Sequence, residues 1–248
     1  MKNVLITGAS GGIGFATALT LGKAGYTVIL NDINEDAVKE KVKELTKEGI
    51  KADYYAFDVT DEKAINQAFE KINKKYDSLD ALINNAGGLG GRHTFENMPT
   101  EFFRKVMALN FDSVVFMTRA ALPLLKKGTN PSVINFTSIA GWNAGGPGAG
   151  IYAASKAACT TLTRAYAKEF APLGIRANAV SPGTIDTPFH QATKDANPAL
   201  FNSWKDGILM KRFGAASEVA SVIEFLISDK ASFITGEVIQ INGGQAFM

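Results

Sequence analysis

The chain has 248 residues, of which 46% are hydrophobic and 20% charged, enough apolar material for a substantial core and a composition that excludes a disordered or fibrous chain. Its 26 basic and 24 acidic residues nearly cancel to +2, and no block of like charge offers a surface to nucleic acid or to a membrane, so the expected partner is a small molecule. The lone Cys159 closes no intrachain disulfide, no basic-then-apolar leader is visible, and no uninterrupted apolar run approaches the roughly 20 residues of a bilayer span, which together lead to the expectation of a cytoplasmic protein.

Short β-branched runs predict strands at 4–6, 27–30, 52–57, 81–83, 132–136, 175–180 and 238–241, and stretches of helical period follow the first three at 13–24, 35–48 and 62–76. Strand-helix-strand repetition with almost no hairpin signals implies right-handed crossovers. The predicted fold is therefore α/β, a doubly wound, seven-stranded parallel sheet with helices on both faces. With no linker or repeat in view, residues 1–248 read as one domain. The polar segment 184–213, which carries Pro188 and Pro198 and no strand pattern, is expected to cover a ligand as a lid.

The first strand runs into Thr7-Gly8-Ala9-Ser10-Gly11-Gly12-Ile13-Gly14 and then a helix, which puts glycines where a backbone must turn tightly and approach a pyrophosphate at a positive helix N-terminus. At the end of the second strand stands Asp32, where a carboxylate accepts ribose hydroxyls and repels a 2′-phosphate. Neither the glycine loop nor 31–34 supplies an arginine or lysine, so NAD(H) is expected over NADP(H). Asn34, not Asp32, is the expected cap of the second helix.

Further on, Tyr152-Ala153-Ala154-Ser155-Lys156 places a phenol and an ammonium on one helical face. A tyrosine ionises near pH ~10 and serves poorly as acid or base at neutrality. A lysine beside it, together with a positive nicotinamide ring, is expected to lower that value toward the working range. Alone, this spacing is no more than a common solvated helix face. Here it is accompanied, in order along the chain, by the glycine loop, Asp58-Val59, Asn84-Asn85-Ala86-Gly87, Asn110, Ser138, Pro182-Gly183 and Asn242-Gly243-Gly244. The set resembles the short-chain dehydrogenase/reductase family over the whole chain.

That resemblance implies hydride transfer between a nicotinamide and a carbonyl or alcohol, with Tyr152 as proton donor or base and Ser138 holding the substrate oxygen. It further implies that Lys156 binds the nicotinamide ribose and that Asn110 is a helix-distorting asparagine that steadies a water for proton relay. Gly8, Ser10, Gly12, Ile13 and Gly14 would cradle the cofactor, Asp32 and Ile33 its ribose, and Asp58 with Val59 its adenine. Asn85, Ala86 and Gly87 would form its floor, and Pro182, Gly183, Ile185 and Thr187 would reach the carboxamide. No metal is expected.

The substrate pocket implied by the resemblance comprises 88–93, 141–148 and 187–191, which contain both histidines of the protein. Arg92, His93, Trp142, Gly145 and His190 are its candidate residues, and Arg92, the histidines and Lys194 together suit a carboxylate or polyhydroxylated chain. These stretches are similar to bacterial reductases that convert 4-deoxy-L-erythro-5-hexoseulose uronate, released from alginate, to 2-keto-3-deoxygluconate. Asn31-Asp32-Ile33-Asn34 is also similar to gluconate 5-dehydrogenases, and a 3-oxoacyl-acyl carrier protein reductase is a further alternative, with Lys126, Lys127 and Lys168 as its docking patch. A catalytically dead nucleotide sensor on the same fold is a fourth reading, against which the intact Ser138, Tyr152 and Lys156 speak. The resemblance also implies a homotetramer, built by helices around 111–126 and 151–170 and by the last strand.

Overall fold

A computed structural model describes residues 2–247. Seven strands, β1 (Asn3–Ile6), β2 (Thr27–Asp32), β3 (Ala52–Ala56), β4 (Ala81–Asn84), β5 (Ser132–Phe136), β6 (Arg176–Pro182) and β7 (Val238–Ile241), form one parallel sheet in the order β3-β2-β1-β4-β5-β6-β7. The doubly wound α/β architecture expected from the sequence is the one observed. β2 runs two residues further than its apolar pattern suggested, because buried Asn31 donates from Nδ2 to the carbonyls of Tyr55 and Phe57 and holds the strand end against β3. β6 likewise extends to Pro182, which pairs with Ile241 at the strand end, where a missing N–H is tolerated.

Helices α1 (Gly12–Lys23), α2 (Glu35–Lys47) and α3 (Glu62–Lys75) follow the first three strands. Asn34 caps α2 by accepting from Ala37 N at 3.0 Å, and Asp61 caps α3 by accepting from the N–H groups of Lys63 and Ala64. After β4 come α4 (Thr100–Met107), a π turn (Ala108–Asp112) and α5 (Ser113–Leu125), then α6 (Ala140–Asn143) and α7 (Gly150–Phe170) on either side of the loop that follows β5. The lid carries α8 (Gln191–Ala196) and α9 (Pro198–Ser203), and α10 (Ala216–Ile227) precedes β7.

The helices sort by face. Leu21, Val38, Leu45, Val219, Ile223 and Leu226 bring α1, α2 and α10 onto one side of the sheet. Ile65, Phe69, Ile72, Met117, Leu125, Tyr166 and Phe170 bring α3, α5 and α7 onto the other. Thr100–Leu125 is by length and composition apolar enough to cross a membrane, although no uninterrupted apolar run marks it. Its apolar positions Val114, Met117, Ala121 and Leu124 are spent on the sheet and α3. Strand order reverses between β1 and β4, so their carboxyl ends diverge and leave the crevice in which ligands of such sheets bind.

Candidate active site

A cleft of about 920 Å³ opens at that reversal, running from the glycine loop past the ends of β4, β5 and β6 to the lid. At one end, Gly8, Ser10, Gly11, Gly12 and Ile13 form the wall. α1 begins there without a side-chain cap, so its first N–H groups face the cleft as an anion site. A Cβ at Gly14 would stand 2.2 Å from the Gly8 carbonyl and 2.6 Å from Asn85 Nδ2, so only glycine lets α1 start this close to the loop. Asn85 closes the loop from the other side, donating from Nδ2 to the carbonyls of Thr7 and Gly8 at 2.9 Å each. The Asp32 carboxylate lies on the wall and accepts from Ser10 Oγ at 2.6 Å and Ser10 N at 3.1 Å, which fixes its charge beside the loop. An uncapped helix start, a backbone cradle with no room for a side chain and a carboxylate one strand over fit a dinucleotide.

The middle of the cleft holds Ser138, Tyr152 and Lys156. Ser138 follows β5 and Tyr152 opens α7, so sheet and helix each deliver one hydroxyl to the same wall. Lys156, one turn beyond the tyrosine, is buried and donates from Nζ to the Phe136 carbonyl at 2.9 Å. Its Nζ lies 5.9 Å from the centre of the Tyr152 ring. Burial pushes the Tyr152 phenol up to about 12, against the Ser138 hydroxyl beside it, which acts to lower it. Burial also holds the Lys156 ammonium below its ordinary value. The lowering of Tyr152 anticipated from the sequence is therefore not produced by the protein's own groups, because the ammonium faces a carbonyl and desolvation is the larger effect.

Asn110 sits within the π turn, fully buried and behind the wall rather than on it. Its side chain exchanges two hydrogen bonds with the backbone of Gly88, at 2.8 and 3.0 Å, and donates to the Val106 carbonyl at 2.9 Å. A Cβ at Gly87 would meet Asn110 Oδ1 at 2.9 Å and Lys156 Nζ at 3.1 Å, so the two side chains converge beneath that glycine.

Of the remaining expected cofactor residues, Gly87, Pro182, Gly183, Ile185 and Thr187 line the cleft. Ala86 does not, its N–H being directed to Thr7 Oγ1. Ile33 is 70% exposed beside Asp32, Asp58 accepts from the N–H and hydroxyl of Thr60, and Val59 is packed into the α3 face of the core; all three stand off the wall.

At the lid end, Arg92, Gly145 and His190 line the cleft, whereas His93 and Trp142 do not. The His93 ring turns to Phe102 of α4, 4.4 Å away, and Trp142 projects from α6 into solvent, 43% exposed. Lys194 is engaged with Asp186 at 3.8 Å rather than with the cleft. The sequence reading did not single out Gln245, whose Oε1 accepts from Thr184 N at 2.9 Å and so ties the C-terminal segment to the start of the lid. Nor did it assign Leu200 or Trp204 to the wall, where they add apolar surface. Asn242-Gly243-Gly244 immediately before Gln245 was the available signal for the first of these.

Comparison with known proteins bears on the same arrangement. A family model described as enoyl-(acyl carrier protein) reductase matches residues 8–246. The 3-oxoacyl-[acyl-carrier-protein] reductase of Thermotoga maritima is 40% identical over 245 residues, covering 98% of this chain and 97% of that protein. Cyclopentanol dehydrogenase of Comamonas sp. is 37% identical, with 98% and 96% covered. Among solved structures, an NADH-dependent reductase A1-R' responsible for alginate metabolism superposes with a TM-score of 0.90 at 37% identity, covering 100% of this chain and 98% of that one. Sheet, cleft and relatives agree, and the chain belongs to the short-chain dehydrogenase/reductase family of oxidoreductases, which act on CH–OH and C=O groups with NAD(P)(H).

Proposed function

We propose that this protein is a cytoplasmic, NADH-preferring carbonyl reductase for a small polar keto substrate, in the first instance 4-deoxy-L-erythro-5-hexoseulose uronate, reduced to 2-keto-3-deoxygluconate. The observation that carries the chemistry is the delivery of Ser138 and Tyr152 to one wall with Lys156 buried behind them. Ser138 would donate to the substrate oxygen and stabilise the charge that develops there. Tyr152, held protonated by its burial, would give its proton to that oxygen. Lys156 would bind the nicotinamide ribose, and Asn110 would hold the loop at Gly87 and Gly88 under the ring and steady a water for proton relay. The nicotinamide, when bound, supplies the hydride.

Gly8, Ser10, Gly12, Ile13 and Gly14 would hold the pyrophosphate, Asp32 the adenosine ribose, and Ile33, Asp58 and Val59 the rim at the adenine. Asn85 and Gly87 would form the floor, with Ala86 behind it bonded to Thr7, and Pro182, Gly183, Ile185 and Thr187 the carboxamide contact. NADH preference is supported by the fixed place of Asp32 and by there being, among the described residues, no basic side chain beside it on the wall. The uronate is supported by Arg92 and His190 at the lid end and by the likeness to the alginate-metabolism reductase.

A second reading, a 3-oxoacyl thioester reductase, draws on the Thermotoga maritima relative and on the apolar lid residues Phe189, Leu200 and Trp204. NADH and NADPH oxidation with the keto-uronate, 5-ketogluconate and an acetoacetyl thioester separates the readings: the uronate with NADH should be the fastest pair.

A further inference from the structure

We propose that Arg92 is the residue that selects substrates by a carboxylate, and that its aim is set by a clip between the loops that follow β4 and β5; this rests on the reductase reading of the cleft. Arg92 lies on the loop after β4, and its Nη1 donates to the Pro147 carbonyl of the other loop at 2.8 Å. The clip has a backbone half as well, His93 N donating to the Gly148 carbonyl at 3.2 Å. A Cβ at Gly148 would stand 2.9 Å from Arg92 Cβ and 3.1 Å from His93 N, so the loops meet with no room for a side chain between them. The guanidinium is thus fixed through one nitrogen, and its other N–H groups are left for a planar anion, which a fork of this kind binds in two places.

The charge around it is one-sided. Among the described residues, Asp32 is the one acidic side chain on the cleft wall, and it belongs to the glycine-loop end, bonded to Ser10. Among the described residues the lid end of the wall presents Arg92 with no carboxylate on the wall beside it; burial and the nearby Arg92 hold the His190 imidazole below its ordinary value, with Asp186 opposing from off the wall, so Arg92 is the cation there. His190 is itself held in place by rings, 5.8 Å from Phe201 and 5.6 Å from Trp204. The distance to the chemistry is short: the Tyr152 ring lies 6.1 Å from that of Phe189, which lies 5.0 Å from that of His190. A short chain with a carbonyl at one end and a carboxylate at the other matches this layout.

The test uses a matched pair, 6-oxohexanoate and its methyl ester, with NADH and with NADPH. In Arg92→Gln, kcat/KM for the acid should fall at least thirtyfold, mostly through KM, while the ester changes less than threefold and NADH binding followed by fluorescence is unchanged. Arg92→Lys should recover part of the loss, and Gly148→Ala, which opens the clip, should raise KM for the acid more than for the ester. Equal losses on acid and ester, or no loss on either, would overturn the assignment. If neither compound is turned over by the wild type, the reductase reading has failed with this probe, and calorimetry still decides Arg92: hexanoate should bind the wild type and not Arg92→Gln, and hexanamide should bind both alike. Equal hexanoate affinity for both proteins would refute the anchor.

Discussion

Tyr152 is the residue on which the proposed chemistry turns, and its elevated pKa gives the pH dependence a definite sign. A phenol pushed up to about 12 stays protonated through neutrality, so carbonyl reduction should be flat from about pH 6 to about pH 9, while alcohol oxidation, which needs the phenolate, should rise across the same range. Initial rates in both directions check this, and Tyr152→Phe should lose roughly 10²–10⁴ in kcat while still binding NADH. Asp32→Ala should remove the carboxylate that repels a 2′-phosphate and shift the NADH:NADPH ratio of kcat/KM toward NADPH by tenfold or more, about 1.4 kcal/mol. That Ser138, Tyr152 and Lys156 share one cleft with the glycine loop was legible in the sequence because these residue types stand in the family's order along the chain. His93 and Trp142 do not line the cleft, because neither a loop nor a one-turn helix encodes in its sequence which way a side chain turns: one meets Phe102 and the other solvent.

The strands and the first three helices could be read from pattern, since all but the edge strand β3, which is Ala-Asp-Tyr-Tyr-Ala, carry a β-branched run or a helical stripe, and Asn34 and Asp61 mark where two of the helices start. The π turn could not be read that way. Ala108-Leu109-Asn110-Phe111-Asp112 contains no breaker; the extra residue is held by Asn110 bonding both Val106 of its own helix and Gly88 of a distant loop, which is a tertiary cause. Asn110→Ala would leave the part-buried N–H and carbonyl of Gly88 without their Asn110 partners, and unfolding by urea should show a loss of about 1–3 kcal/mol together with weaker NADH binding. The lid was read as irregular although Asn197-Pro198 is a helix-start signal: Asn197 accepts from Leu200 N at 2.9 Å and Pro198 opens α9. Six-residue helices such as α8 and α9 have too few periods for an apolar stripe to show.

At the scale of the molecule, one sheet with two covered faces puts the cleft at the strand ends, and we propose that α5, α7 and β7 pair with a second copy of the chain. A homotetramer is the expected assembly, and light scattering coupled to size exclusion would show a monomer if that is wrong. Stability should fall in alkali. Burial raises Tyr166 as well as Tyr152 to about 12, so between pH 10 and about 12 the folded chain keeps protons that the unfolded chain has lost, and each such tyrosine favours unfolding by up to ~1.4 kcal/mol per pH unit. Urea unfolding of Tyr166→Phe at successive pH values above 9 should show a shallower fall than the wild type.

The most direct test of the account is the rate of NADH and NADPH oxidation, side by side, with 4-deoxy-L-erythro-5-hexoseulose uronate, 5-ketogluconate and an acetoacetyl thioester. NADH with the uronate should exceed every other pair by tenfold or more in kcat/KM, a preference of about 1.4 kcal/mol in the transition state; NADPH with the thioester as the fastest pair would contradict both the substrate assignment and the role given to Asp32.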